Sequence, residues 1–182
     1  MATFIDILNK FRKESFSQKD KGFRFERLMQ AYLKTTALYI HLFEEVWLWS
    51  EFPHHDQFGG KDTGIDLVAK TYTGDYWAIQ CKCYAADSYI DKPSVDSFLA
   101  TSGRSFESNG ESKAFSQRLW ISTTNKWNAT AEQTIKNQNP PVTRLNLIDL
   151  DNDAVDWVAL EKGVFGASAR TAQFTVLDHR KN

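Results

Sequence analysis

Cysteine is scarce in this sequence, with two residues in 182, Cys81 and Cys83. Two positions apart on a strand they point the same way, and a bridge between them would be strained. A CxC with no second Cys or His cluster is a poor zinc site, so both thiols are expected as small core residues. No apolar run is long enough to span a membrane and no secretory signal is present, so a cytoplasmic protein with no membrane partner is expected. Neither sign of charge dominates: 22 Lys+Arg face 23 Asp+Glu, a net charge of -1. That excludes a global attraction to polyanions and leaves such contacts to a local patch or to partner domains. A GxxxxGK[ST] phosphate loop is missing, which excludes a P-loop motor within this chain. Internal repeats and low-complexity segments are missing too.

What is there suffices for a folded core. Hydrophobic residues make up 42% and aromatics 14%, enough for one domain of this length. Charge is unevenly placed. Met1 to Lys34 holds eight basic and four acidic residues, and Leu145 to Glu161 holds five acidic and no basic ones. The basic end is either a phosphate-facing region or a set of solvated helix faces.

Periodicity predicts a short amphipathic helix within residues 1–19. A stronger helix starts at Lys21, where Phe25, Leu28, Met29, Tyr32 and Leu33 form one buried stripe. Residues 44–52 read as a strand and 54–64 as a loop rich in Gly, Asp and His. Residues 65–72 and 76–84 read as two strands joined by a Thr73-Gly74-Asp75 turn. A helix opened by Pro93 follows, then a strand at 116–124, and a helix at 128–138 with Asn128 as N-cap. A strand at 142–150 and a helix at 153–161 come last. The pattern predicts an α/β fold with a central mixed sheet flanked by helices. Residues 1–162 are expected to form the domain, and 163–182 either a linker toward further domains or an ordinary frayed terminus.

The stretch AIQCKCY, residues 78–84, reads as a buried strand, yet Gln80 and Lys82 lie on one of its faces. Asp66 opens the hairpin partner after a glycine-rich loop, and Glu26 sits about 100° around its helix from Phe25. Each alone has an ordinary structural explanation: a turn residue, an edge lysine, a stripe border. Together they suit phosphodiester hydrolysis. Mg²⁺ takes oxygen ligands, typically one or two carboxylates with waters and substrate phosphate. Asp66 is the main candidate ligand, Glu26 a second, and the backbone carbonyl of Cys81 a third. Lys82 then orients the attacking water or stabilises transition-state charge.

The runs KGFRFERLMQAYL, FGGKDTGIDLVAK and AIQCKCY resemble the Mrr-like branch of the PD-(D/E)xK restriction endonucleases, whose signature has the form D…QxK. The resemblance covers residues 20–85 most specifically. It implies a restriction-endonuclease-like core, αβββαβ plus an extra strand and helix, with catalytic residues Glu26, Asp66, Gln80 and Lys82. The later LWISTTNKWNATAEQ is similar to the strand and helix that complete such a core. The whole pattern resembles the nuclease domain of Type ISP restriction-modification enzymes. This implies Mg²⁺ (or Mn²⁺ as substitute) as cofactor and double-stranded DNA as substrate. ATP would serve only an absent motor domain. It also implies helicase-like ATPase, methyltransferase and target-recognition domains as partners, and a transient nuclease dimer for cutting both strands. The residues leave open a repair or junction nuclease of the same superfamily, and a silent module that only binds DNA or a partner.

Several further residues have two readings. His54 and His55 suit phosphate or metal contacts or a solvated loop, and Gln57 and Lys61 suit contacts to a DNA backbone through the same loop. Asp62 and Glu51 are outside candidates for a second metal. Ser122-Thr123-Thr124 suits a phosphate contact or a cap. The six tryptophans are expected in packing rather than in base stacking.

Overall fold

The computed structural model describes residues 3–59 and 63–165. Its elements run α1 (Phe4–Glu14), α2 (Gln18–Thr35), α3 (Ala37–Ile40), β1 (Phe43–Leu48), β2 (Leu67–Thr71), β3 (Tyr76–Lys82), β4 (Tyr89–Ile90) and α4 (Lys92–Ser102). Then come β5 (Ser105–Ser108), β6 (Glu111–Ser122), β7 (Lys126–Trp127), α5 (Ala129–Ile135), β8 (Val142–Leu145), α6 (Leu147–Asp151) and α7 (Trp157–Phe165). The main sheet has the order β1-β2-β3-β6-β5, with β8 also paired to β6. β2 runs antiparallel to both β1 and β3, whereas β3 runs parallel to β6. β5 and β8 pair with successive stretches of β6, residues 111–114 and 118–121. This is the mixed sheet flanked by helices that the sequence predicts.

Strand alternation divides the core between the two faces of the sheet. Ile79 and Cys81 of β3 join Leu67, Leu119 and Ile121 beneath α1, α2 and α7. Tyr76 and Ala78 of the same strand join Val68 and Trp120 on the other face, against Val95 and Phe98 of α4 and Ala131 and Ile135 of α5. Helix α2 forms as predicted, with Phe25, Leu28, Met29, Tyr32 and Leu33 all buried. Its start at Gln18 is earlier than expected because Ser17 caps it, accepting from the Asp20 N–H at 3.0 Å. Asp91 caps α4 in the same way, with Pro93 in the first turn.

Four local expectations are corrected. The strand predicted to reach residue 52 stops at Leu48, where Trp49–Glu51 winds into a 3-10 turn and the Glu51 Oε1 accepts from the Leu48 N–H at 2.9 Å. The strand predicted over 142–150 stops at Leu145, because Asn146 and Asp149 form a capping box that starts α6. The strand predicted from 116 begins at Glu111 as one arm of a hairpin with β5. Its turn is Asn109-Gly110, both at positive φ, the backbone that a two-residue hairpin requires. The last helix runs from Trp157 to Phe165 rather than over 153–161. It therefore runs into the segment expected as a linker from residue 163, the rest of which lies outside the described residues. Asn128 holds the N-cap position of α5, but its side chain makes no cap bond.

Helix α7 is integral to this domain. Trp157 is 2% exposed, stacks on Tyr32 at 5.4 Å and packs on Phe4 at 4.7 Å. Glu161, also buried, pairs with Lys10 at 2.7 Å. Trp157→Ala is expected to destabilise the fold by about 3–5 kcal/mol in urea unfolding. A loss below about 1 kcal/mol would show α7 to be dispensable.

Candidate active site

Asp66 enters β2 from the loop, and its main chain is already in the sheet. Its N–H donates to the Ile79 carbonyl at 2.9 Å and its carbonyl accepts from the Trp49 N–H at 2.8 Å. The side chain is fixed as well: Oδ2 accepts from the Cys81 N–H at 2.9 Å. Because Leu67 pairs with Ile79, the alternation puts Asp66 on the same face as Gln80 and Lys82. A strand residue presents its N–H and C=O to the same neighbour in an antiparallel pair. The Cys81 carbonyl therefore faces the same side as the N–H that reaches Asp66.

Gln80 is 3% exposed. With its amide oriented to satisfy its neighbours, the nitrogen donates to the Gly64 carbonyl and, at 3.1 Å, to Asp66 Oδ2; the oxygen accepts from Lys82 Nζ at 3.1 Å. One buried amide thus joins the loop, the aspartate and the lysine. Gly64 makes this possible at close range. Its φ is +73°, and a Cβ there would lie 2.9 Å from Ser97 Oγ and 3.0 Å from the Ser97 carbonyl carbon. The loop before Asp66 is therefore pressed against the α4 backbone, and only glycine fits. The glycine-rich loop before Asp66 suggests room for solvent or a phosphate, but at Gly64 the space is taken by the α4 backbone.

Glu26 arrives from the helical layer on the other face of the sheet and meets Asp66. Its carboxyl is pushed up from the ordinary 4.5 to about 8, first by burial, then by the charge of Asp66 and a hydrogen bond with it; Lys82 opposes this. The structure therefore brings together all four predicted side chains, Glu26, Asp66, Gln80 and Lys82. Asp91 also sits within the field of Lys82. Hydrogen bonds from Ser94 hold its carboxyl below the ordinary range, and Lys82 adds to that.

A carboxyl raised to about 8 by burial and by a neighbouring carboxylate is a costly arrangement that a bound cation would relieve. Oxygen donors from two carboxylates and a backbone carbonyl fit a hard divalent ion such as Mg²⁺. Among the described residues no three His, Cys, Asp or Glu side chains converge, so the set is unlike the all-protein cage that zinc favours.

The remaining candidates are occupied structurally. Glu51 accepts from the Gln30 amide at 3.1 Å besides the Leu48 N–H. Gln57 pairs with both backbone groups of Glu107, at 2.8 and 2.9 Å. His55 Nδ1 bonds the Phe52 carbonyl at 2.8 Å, and His54 stacks on Phe106. Ser122, Thr123 and Thr124 are fully buried. Thr123 bonds both backbone groups of Tyr84, and Thr124 bonds the Ala86 and Ser88 carbonyls. They tie down the chain leaving β3 rather than facing a phosphate. Trp120 and Trp157 are core residues, and Cys81 is buried with its thiol. Lys61 and Asp62 lie outside the described residues.

The fold is that of the restriction endonucleases, with the lysine-bearing strand at its centre. The chain belongs to the restriction endonuclease family: the family's Mrr-type catalytic model matches residues 34–165. That span includes Asp66, Gln80 and Lys82 but not Glu26. The ATP-dependent Type ISP restriction-modification enzyme LlaBIII, solved bound to DNA, is similar at 33% identity and a TM-score of 0.66 over 87% of this chain; the match spans 9% of that enzyme. MspJI restriction endonuclease, solved with a 27-mer oligonucleotide, shares the fold at 16% identity and a TM-score of 0.50, over 94% of this chain and 34% of its own. A search among curated proteins found no match.

The raised Glu26 carboxyl has a consequence for stability. Between about pH 4.5 and about pH 8 the folded protein holds a proton that the unfolded chain has released. Stability of the metal-free protein therefore falls as pH rises through that window. Glu26→Gln is expected to flatten this decline in urea-unfolding midpoints measured with EDTA. An equally steep decline in the variant would mean that Glu26 is not the group responsible.

Proposed function

We propose that this domain is a divalent-cation-dependent endodeoxyribonuclease that hydrolyses DNA phosphodiester bonds, with Mg²⁺ as cofactor and Mn²⁺ as its substitute. The observation that carries this reading is the continuous set Glu26–Asp66–Gln80–Lys82. Asp66, Glu26 and the Cys81 carbonyl are the groups that would hold the cation. When bound, the cation supplies Lewis-acid charge at the scissile phosphate. Asp66 is aimed by the Cys81 N–H and the Gln80 amide, so its orientation needs no rearrangement on binding. Gln80 also holds the Lys82 ammonium beside the carboxylates. Lys82 orients the water and stabilises the negative charge that develops as water adds to phosphorus and one P–O ester bond breaks. Donors fixed before the reaction stabilise a transition state more than mobile ones do, which gives the buried glutamine a catalytic purpose.

The 33% identity to LlaBIII over 87% of this chain supports placing the domain in a Type ISP restriction-modification enzyme. In that setting an ATPase motor, a methyltransferase and a target-recognition domain complete the protein, and ATP serves the motor. Double-stranded DNA is the substrate. One site cuts one strand, so a double-strand break takes two copies meeting transiently or two successive visits.

The test is supercoiled plasmid incubated with the purified domain in Mg²⁺, in Mn²⁺ and in EDTA, beside Asp66→Ala and Lys82→Ala. Metal-dependent nicking that falls roughly a hundredfold or more in each folded variant is the expected result. Nicking that persists in EDTA, or that either variant retains at the wild-type rate, would overturn the assignment.

A further inference from the structure

Gly22 lies inside α2, four residues before Glu26, where glycine is among the least favourable residues for a helix. Helical glycines are commonly explained by a neighbour that leaves no room for a side chain. Here that explanation fails: among the described residues a Cβ at Gly22 would meet nothing within 4 Å, and its backbone is not in the left-handed region. Gly74 and Gly110 also face open space, but each has a positive φ in a turn. Gly22 has neither reason.

Its position is specific. At about 100° per residue, Lys19, Gly22 and Phe23 lie within about 60° of Glu26 around the helix. Glu26 points at Asp66, so this strip is the extension of the active site along α2. Its lining suits a polyanion. Lys19 is exposed, and neither it nor Lys21 forms an ion pair among the described residues. Lys21 and Arg12 lie beside Cys83, one residue past Lys82, and Arg12 is anchored there by its bond to the Tyr84 carbonyl at 3.0 Å. Phe23 is 46% exposed, with the Arg27 guanidinium 6.0 Å from its ring centroid.

We propose that the Lys19–Gly22–Phe23 strip of α2 is the track for the sugar–phosphate backbone that adjoins the scissile phosphate, with Gly22 leaving the clearance for it. This rests on the nuclease reading and adds where the substrate strand runs. Lys19 supplies the positive charge on the strip, and the Phe23 ring supplies an apolar contact to a sugar. An absent side chain permits a close backbone approach, the use to which glycine is put wherever a ligand passes close to the main chain.

The test separates the helix from the substrate. Gly22→Ala and Gly22→Leu are compared with the wild type for thermal midpoint, Mn²⁺ affinity by calorimetry, plasmid nicking, and binding of a short labelled duplex in EDTA. Alanine is expected to raise the midpoint by about 2–4 °C while weakening the duplex. Leucine is expected to weaken the duplex by roughly tenfold or more. Mn²⁺ affinity stays unchanged in both. Lys19→Ala is expected to lower the slope of log affinity against log salt by about one. If both Gly22 variants bind and nick DNA as the wild type does, the track is elsewhere, even with the nuclease reading intact. If the wild type itself neither binds the duplex nor nicks, the nuclease reading fails and the track falls with it.

Discussion

Two carboxyl groups forced together cost free energy, and the Glu26–Asp66 contact is the constraint around which this domain is arranged. The carboxyls come from opposite sides of the sheet, one from a helix packed on one face and one from a strand end facing the other. They meet at the start of β2, where Glu26 reaches Asp66. Neither group is released to solvent, so the folded chain carries the strain in the form of a retained proton. A structure optimised for stability alone would place an amide at one of the two positions. The rest of the local architecture serves to keep the contact.

Three unrelated devices hold it. Asp66 is tied through its main chain to Trp49, just past β1, and to Ile79 of β3, and through its side chain to the Cys81 N–H. The loop before it is pressed against α4 at Gly64, where a methyl group would meet backbone. The chain leaving β3 is held by Thr123 and Thr124, which are fully buried and bond the backbone of Tyr84, Ala86 and Ser88. That last device also explains the small two-stranded sheet of β4 and β7. It runs alongside the exit of β3 and leads into Asp91, the cap of α4, within the field of Lys82. The catalysis proposed for these residues needs a preset geometry, because a lysine misplaced by about an ångström loses much of its effect.

The central strand pair and the site were legible in the sequence because their signals are local. A polar pair two apart in an apolar strand, an aspartate at a strand start and a turn at Thr73-Gly74-Asp75 each define a register within a few residues. The α2 stripe was equally plain. The parts that were misread depend on single capping residues or on distant partners. Asn146 and Asp149 redirect an apolar run from strand to helix. Asn109-Gly110 is a strong hairpin signal, but its flanks, Ser105–Ser108 and Glu111–Ala114, are too polar to read as strands without each other. Gln57 looked free for phosphate, and only the fold brings Glu107 to it. The burial of Ser122-Thr123-Thr124 likewise depends on a loop some 38 residues earlier in the chain.

The measurement that tests the account most directly is a calorimetric titration of Mn²⁺ into the metal-free domain near neutral pH, repeated in two buffers of different ionisation enthalpy. If Glu26 holds a proton that a divalent ion displaces, binding is accompanied by release of about one proton, and Asp66→Ala abolishes the binding heat. Binding with no proton release, or binding that survives in Asp66→Ala, would contradict the claim that this carboxyl pair is the cation site.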